Sequence, residues 1–284
     1  MFILVINLDR HRLRLERMSA QLAASGLAFE RLRAIDGAEL SDADLAGVVS
    51  PTQPQTLSRS EVACFLSHRA AWQRFLASDE PLCCVLEDDV RLAADFGPAL
   101  SAAPAWTSLP HDVIKIETMR QRVWVRRRKR ACFPGYALSE LRSCHHGTAG
   151  YIVNREGARR LLDLTEQMDR PIDNLIFDRA IAASPRLLVL QLQPALCIQE
   201  DALVAVLPES EFRSSITPER ERLLRPGIKR KGLAKLLQEV ARPFRRLFSL
   251  PARLGLERVM VGFDETHMLR PDVVFPVESA ARSR

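Results

Sequence analysis

The strongest constraint in this chain is an alternation of short apolar runs with longer segments of helical spacing, sustained from the first residue to about residue 200. "MFILVINL" (1–8) reads as a strand buried on both faces. "RHRLRLERMSAQLAASGL" (10–27) sets Leu13, Arg17, Met18 and Leu22 at helical spacing, with Gly26 as the stop. "AFERLRAI" (28–35) alternates as a second strand. A β-α-β opening predicts a parallel α/β sheet. The pattern continues with a helix from residue 58, which Ser58 or Ser60 can cap, with Glu61 three residues after Ser58 as in a capping box. Strands follow at "LCCVL", "HDVIKIE" and "TAGYIVN". Helices follow at "REGARRLLDL" and at "PIDNLIFDRAIAA", with Pro171 at its start. "RLLVLQLQP" is the last strand. "GVVSPTQPQT" (47–56) reads as a loop.

With 284 residues, 47% hydrophobic and 27% charged, the chain is large enough for one substantial domain, or one domain with an extension. Six cysteines without a CxxC pair read as reduced, mostly buried thiols of a cytoplasmic protein. The N-terminus lacks the basic region and cleavage site of a signal peptide. No apolar run approaches the ~20 residues that span a bilayer.

The net charge of +6 is unevenly placed. Residues 219–258 hold 12 Lys/Arg against 4 Asp/Glu, so the basicity belongs mainly to that segment. There Leu233, Leu236, Leu237, Val240, Phe244, Leu247 and Phe248 fall at helical spacing among Lys and Arg, with a break expected at Pro243. We expect a globular domain over 1–207 and a basic amphipathic helical extension over 208–284. That extension suits reversible attachment to an anionic membrane surface.

The chemistry concentrates in "LCCVLEDDV" (82–90). An apolar strand runs into three consecutive carboxylates, Glu87, Asp88 and Asp89. In open parallel sheets, ligands bind beyond the carboxyl ends of the strands. Residues two apart share a face, so Glu87 and Asp89 point the same way and repel unless a proton or cation joins them. A hard divalent cation with phosphate ligands answers that repulsion. A solvated acidic turn is the plain alternative for this motif alone.

The neighbourhood decides. "VINLDRHRLR" (5–14), "SEVACFLSHRAAW" (60–72), "VLEDDV" (85–90), "GTAGYIVNREGARRLL" (147–162) and "PIDNLIFD" (171–178) resemble, in order, five blocks of glycosyltransferase family 25, the lipooligosaccharide β-galactosyltransferase type. The resemblance covers roughly residues 1–200. It implies a GT-A-like (Rossmann-like) fold, a mostly parallel sheet flanked by helices. It also implies a UDP-sugar donor (UDP-galactose expected), Mn²⁺ or Mg²⁺, and inverting transfer to a saccharide or lipid-linked glycan acceptor. A carboxylate-held cation stabilises the diphosphate leaving group, and inversion needs a base at the acceptor hydroxyl.

On this reading Asp89 and Glu87 hold the metal, with a further ligand from Gln199, Glu200 or Asp201. Asn7, Arg10, Glu61, Ser67, His68, Glu87 and Asp88 serve the donor. Asp173, in the first turn of a helix, is the candidate base. His145 and His146 stand second. Each has an ordinary structural alternative: a turn for Asn7, a surface charge for Arg10, a satisfied helical histidine for His68, a helix-start carboxylate for Asp173. Glu61 and His68, seven residues apart, are about 10 Å apart along a helix and cannot share one ion, whereas Cys64 and His68 can.

"RQRVWVRRRKR" (120–130) carries seven basic residues and alternates like a hairpin arm. It reads as a solvated loop, a dock for an acidic glycan, or a nucleic-acid contact. The competing functions are a nucleic-acid-binding protein and a metal-dependent phosphohydrolase using the same carboxylates. The charge distribution and the scarcity of scattered Asp/His ligands speak against both, and no nucleic-acid partner is expected.

Overall fold

The computed structural model describes residues 1–50, 57–178, 187–203, 255–266 and 268–269. The chain runs β1 (Phe2–Asn7), α1 (Arg12–Ala24), β2 (Glu30–Arg33), α2 (Asp42–Val48), α3 (Arg59–Leu76), β3 (Leu82–Glu87) and β4 (Val90–Leu92). Then come α4 (Phe96–Ser101), α5 (Ala103–Trp106), β5 (Val113–Lys115), β6 (Glu117–Thr118), β7 (Arg122–Arg126), β8 (Arg130–Phe133) and β9 (Tyr136–Glu140). Last are β10 (Gly150–Asn154), α6 (Arg155–Leu164), α7 (Ile172–Phe177), β11 (Val189–Gln193), β12 (Cys197–Gln199) and β13 (Leu256–Met260).

Eight strands form one sheet in the order β2-β1-β3-β10-β5-β11-β9-β8. Six run in one direction, and β10 and β9 run against them. The mostly parallel α/β sheet flanked by helices, expected of a GT-A-like protein, is therefore present. The reversed strand β10 inserts beside β3 and pairs antiparallel with it, Gly150 opposite Leu86.

Both faces of the sheet are covered, which is why its strands read as unbroken apolar runs. Leu4, Ile6, Cys83, Val85, Tyr151 and Val153 face one core, with α3, α6 and α7. Their neighbours Ile3, Val5, Cys84, Leu86 and Ile152 face the other, with α1, α4 and α5. All six cysteines are free.

Several local expectations are corrected. Leu13 is 53% exposed, and the buried face of α1 is Arg14, Arg17, Met18, Gln21 and Leu22. Segment 120–130 is not a hairpin arm. β7 pairs with β13, and β8 pairs with β9 in the main sheet. The described residues beyond 207 pack on the body. β13 completes a ribbon with β7, the amide of Ala195 donates to Gly262 O at 2.8 Å, and the Thr118 hydroxyl donates to Val261 O at 2.8 Å. The expected helical segment 229–254 lies outside the described residues. No helix among the described residues is long and apolar enough to cross a membrane.

Candidate functional site

Parallel strands β1, β2 and β3 end together, and a cleft opens at that edge. Ile6 and Leu8 line it at the end of β1, Ala34 and Ile35 just after β2, and Glu87, Asp88 and Asp89 at and just beyond the end of β3. Helix α3 forms a further wall through Ser60, Cys64, Ser67 and His68, and Arg10, His11 and Arg14 close another side.

The three carboxylates are not equivalent. Asp88 is tied to the protein. Asn7 Nδ2 donates to its Oδ2 at 2.7 Å and Arg14 to its Oδ1 at 3.1 Å. Burial raises its pKa, but hydrogen bonds from His11 and Asn7 and the Arg14 charge outweigh that and hold it below the usual range. It stays ionised. Asp89 is 5% exposed, and Arg14 is 4.0 Å away. Burial first, then the charges of Glu87 and Asp88, push its carboxyl well above the usual value. An anion so placed is stabilised by binding a proton or a cation.

Glu87 is oriented by a directional chain. The Trp72 indole can only donate, and its Nε1 lies 2.8 Å from the Tyr151 hydroxyl oxygen. Burial pushes the Tyr151 phenol up, so it keeps its proton and donates to His68 Nδ1 at 2.9 Å. The other ring nitrogen, Nε2, faces Glu87 Oε1 at 3.3 Å. Thr148 donates to the same oxygen at 2.8 Å. Oε2 accepts no hydrogen bond among the described residues.

Two donor sets lie along this edge. Cys64, His68 and Glu87 bring one ligand-type atom each within 4.8 Å of one another. A sulfur–nitrogen set would suit a softer ion such as Zn²⁺. In the metal-free chain His68 Nε2 faces Glu87, and burial followed by the Glu87 and Asp173 charges pushes the Cys64 thiol far above its ordinary pKa. Glu87 and Asp89, which line the same cleft, offer instead carboxylate oxygens, the donor type that Mg²⁺ and Mn²⁺ take.

The remaining sequence candidates fall into two groups. Ser67 and Arg10 reach the cleft. Ser67 accepts from Ile35 N at 2.9 Å and donates to Ala63 O at 2.7 Å, while Arg10 pairs with Asp36. Asn7, Glu61, Gln199 and Glu200 do other work. The Asn7 amide is consumed by Asp88, His11 O and Arg31, because the end of β1 faces the acidic turn. Glu61 caps α3, its carboxylate accepting from Ser58 N at 2.9 Å. Gln199 approaches Asp89 at 3.5 Å through its amide nitrogen, as a donor rather than a metal ligand. Glu200 is held by Arg17 and by Arg91, the latter at 2.6 Å, and Asp201 is exposed.

Asp173 does not line the cleft. It accepts from Gly147 N at 3.3 Å and from Asn174 N at 2.8 Å, with His146 Nδ1 at 3.4 Å. Burial raises its pKa, but these donors outweigh it and lower it. His145 is structural. Its Nδ1 donates to Gln191 at 2.6 Å, and burial with the Lys115 charge drops its pKa to about 3. Beneath the 145–149 loop lies a buried pair, Lys115 Nζ to Glu117 Oε2 at 2.8 Å. Glu117 also accepts from Ala149 N at 3.0 Å. Gly147 has φ +88, and a Cβ there would meet Glu117 Oε1 at 2.4 Å, so only glycine fits. Sequence reasoning missed Arg14, Thr148 and Tyr151. The one available signal was the spacing of Arg14 and Arg17 with Met18 and Gln21 on one helix face.

Comparisons with known proteins agree with this architecture. The profile of glycosyltransferase family 25 (LPS biosynthesis protein) matches residues 1–176. The lacto-N-neotetraose biosynthesis glycosyltransferase LgtB of Neisseria gonorrhoeae is 32% identical over 206 residues, 69% of this chain and 73% of that protein. The lipooligosaccharide biosynthesis protein lic2B of Haemophilus influenzae is 24% identical over 91% of this chain and 98% of its own length. Among solved structures, a glycosyltransferase involved in glycosylating the major capsid of PBCV-1 aligns with a TM-score of 0.40 and 9% identity, over 78% of this chain and 98% of that one. That likeness is too slight to add to the topology described above. With the matched profile spanning the whole acidic edge of the sheet and the histidine helix behind it, the chain belongs to glycosyltransferase family 25.

Proposed function

We propose that this glycosyltransferase moves galactose from UDP-galactose to a saccharide acceptor of a lipooligosaccharide or lipopolysaccharide, with inversion and with Mn²⁺ or Mg²⁺ at Glu87 and Asp89. The observation that carries the proposal is the buried Asp89 carboxylate, crowded by Glu87 and Asp88 in a cleft at the carboxyl edge of β1–β3. The names of the Neisseria and Haemophilus relatives supply the glycan class.

Each residue then has a task. Asp88, fixed by Asn7 and Arg14, anchors the acidic turn to β1 and α1. Glu87, fixed by His68 and Thr148, offers its other oxygen to the cleft. A cation there would neutralise charge building on the departing diphosphate. Arg10 and Arg14 put guanidinium charge on the same wall. For the acceptor proton we favour the Asp173–His146 pair. Asp173 alone is a weak base because its pKa is lowered, whereas the exposed His146 beside it accepts a proton that Asp173 then stabilises.

The test is thermal unfolding with UDP, with and without Mn²⁺, for the wild type and Asp89→Asn. A ligand that binds only the folded chain raises the melting temperature. Stabilisation of the wild type by UDP only with metal, lost in the variant, supports the site. No shift in the wild type removes the donor reading. Donor screening with a panel of UDP-sugars then decides the sugar.

A further inference from the structure

We propose that the β7–β13 ribbon docks this protein on an anionic lipid surface. The inner face of the ribbon is core. Val123 and Val125 are fully buried, and Val259 packs against the same cluster. The outer face is different. Alternation along both strands and the pairing Arg126–Leu256, Trp124–Arg258 and Arg122–Met260 put these six side chains on one surface. The three arginines and Met260 are exposed, while Trp124 and Leu256 are half-buried. Met260, at 57%, is one of two large apolar side chains exposed among the described residues.

Residues 127–130 continue the ribbon with four more exposed cations. Among the described residues two carboxylates pair with this set, Glu140 with Arg126 at 2.9 Å and Glu257 with Lys129 at 3.1 Å, so positive charge remains in large excess there. Guanidiniums that pair with phosphates, around an indole and a thioether that enter the headgroup boundary, are the chemistry of a bilayer interface. A nucleic-acid backbone would match the arginines but offers nothing to cover Met260 and Leu256. The inference goes beyond the donor site and does not depend on it.

The experiment uses the full chain and vesicles of phosphatidylcholine with or without phosphatidylglycerol. Trp72 and Trp106 are 0% and 3% exposed, so an emission change on binding reports Trp124. We expect a blue shift, and quenching by bromine-labelled acyl chains, with anionic vesicles alone. The triple variant Arg122→Glu, Arg126→Glu, Arg258→Glu should keep its circular dichroism and lose about two orders of magnitude in vesicle partitioning. The wild-type quenching does not depend on how that variant folds. Three outcomes would overturn the proposal: wild-type emission that does not respond to anionic vesicles, triple-variant binding equal to wild type, or a larger Trp124 response to a short DNA duplex at the same salt.

Discussion

At the scale of single residues, the site is built by assigning different jobs to three adjacent carboxylates. Asp89 carries the strain. Its folded-state pKa is raised above the unfolded value near 3.8, so its ionisation costs stability. That cost begins as pH rises through the unfolded value and is complete above the folded one. Asp89→Asn should therefore melt a few degrees higher than the metal-free wild type at neutral pH, and the difference should vanish below about pH 3. The same variant should gain nothing from Mn²⁺ and UDP. A scanning calorimeter checks both halves, and a variant that melts lower at neutral pH would refute the first. The Trp72–Tyr151–His68–Glu87 chain makes a second prediction. Tyr151→Phe deprives two buried groups of their partner, which costs about 1–3 kcal/mol in urea unfolding. Nitrogen-15 spectra should find the wild-type His68 proton on Nε2 and a changed tautomer population in the variant. The run of three carboxylates stands out in the sequence by its type and order, whereas His68 is singled out only by the family resemblance of the helix that carries it. Tyr151, Thr148 and Arg14 were not legible there, because each is an ordinary residue whose role appears only when a distant strand or helix is brought alongside.

At the scale of elements, β10 is the strand that composition could not orient. "TAGYIVN" is apolar throughout because helices cover both faces, and that requirement is the same whichever way the strand runs. Running antiparallel to β3, it brings Gly147 to Ala149 against the end of β3 and lets Thr148 reach Glu87. The same geometry explains the buried Lys115–Glu117 pair. Lys115 lies over the Phe177 ring at 4.1 Å and donates to Gly147 O at 2.5 Å, so one side chain ties β5, the 145–149 loop and α7 together. Glu117 is raised by burial against the pull of Lys115, which marks a carboxylate dependent on its partner. Lys115→Met strands that charge and should cost about 3–5 kcal/mol in denaturant unfolding. Helix α2 was missed for another reason. "SDADLAGV" is short and polar, and only its capping box, Ser41 with Asp44, announced a helix inside what read as a link between strand and loop.

At the scale of the whole molecule, composition suggests a body and a basic tail, and a strand from beyond residue 207 packs on that body. The charge imbalance is real, but charge states who the partners are and not where a domain ends. What closes the body is a strand from the far side of the basic segment. β13 satisfies one edge of β7, and residues 261 and 262 bond to β6 and to the loop before β12. A chain ending at residue 207 would therefore leave β7 with an open edge and Val123 and Val125 partly uncovered. Two valines exposed at about 1.5 kcal/mol each set a loss of about 3 kcal/mol, before any aggregation that the open edge invites. Val259→Pro in the full chain tests the same edge without removing anything, since proline cannot donate to the ladder opposite Val123. Both should unfold at lower urea than the wild type. A 1–207 chain as stable as the full protein would support the compositional boundary and make β13 an ornament. A destabilised Val259→Pro would mean that the active-site body and the basic segment are one cooperative unit, because the body cannot close its sheet edge until the chain has passed through that segment and returned.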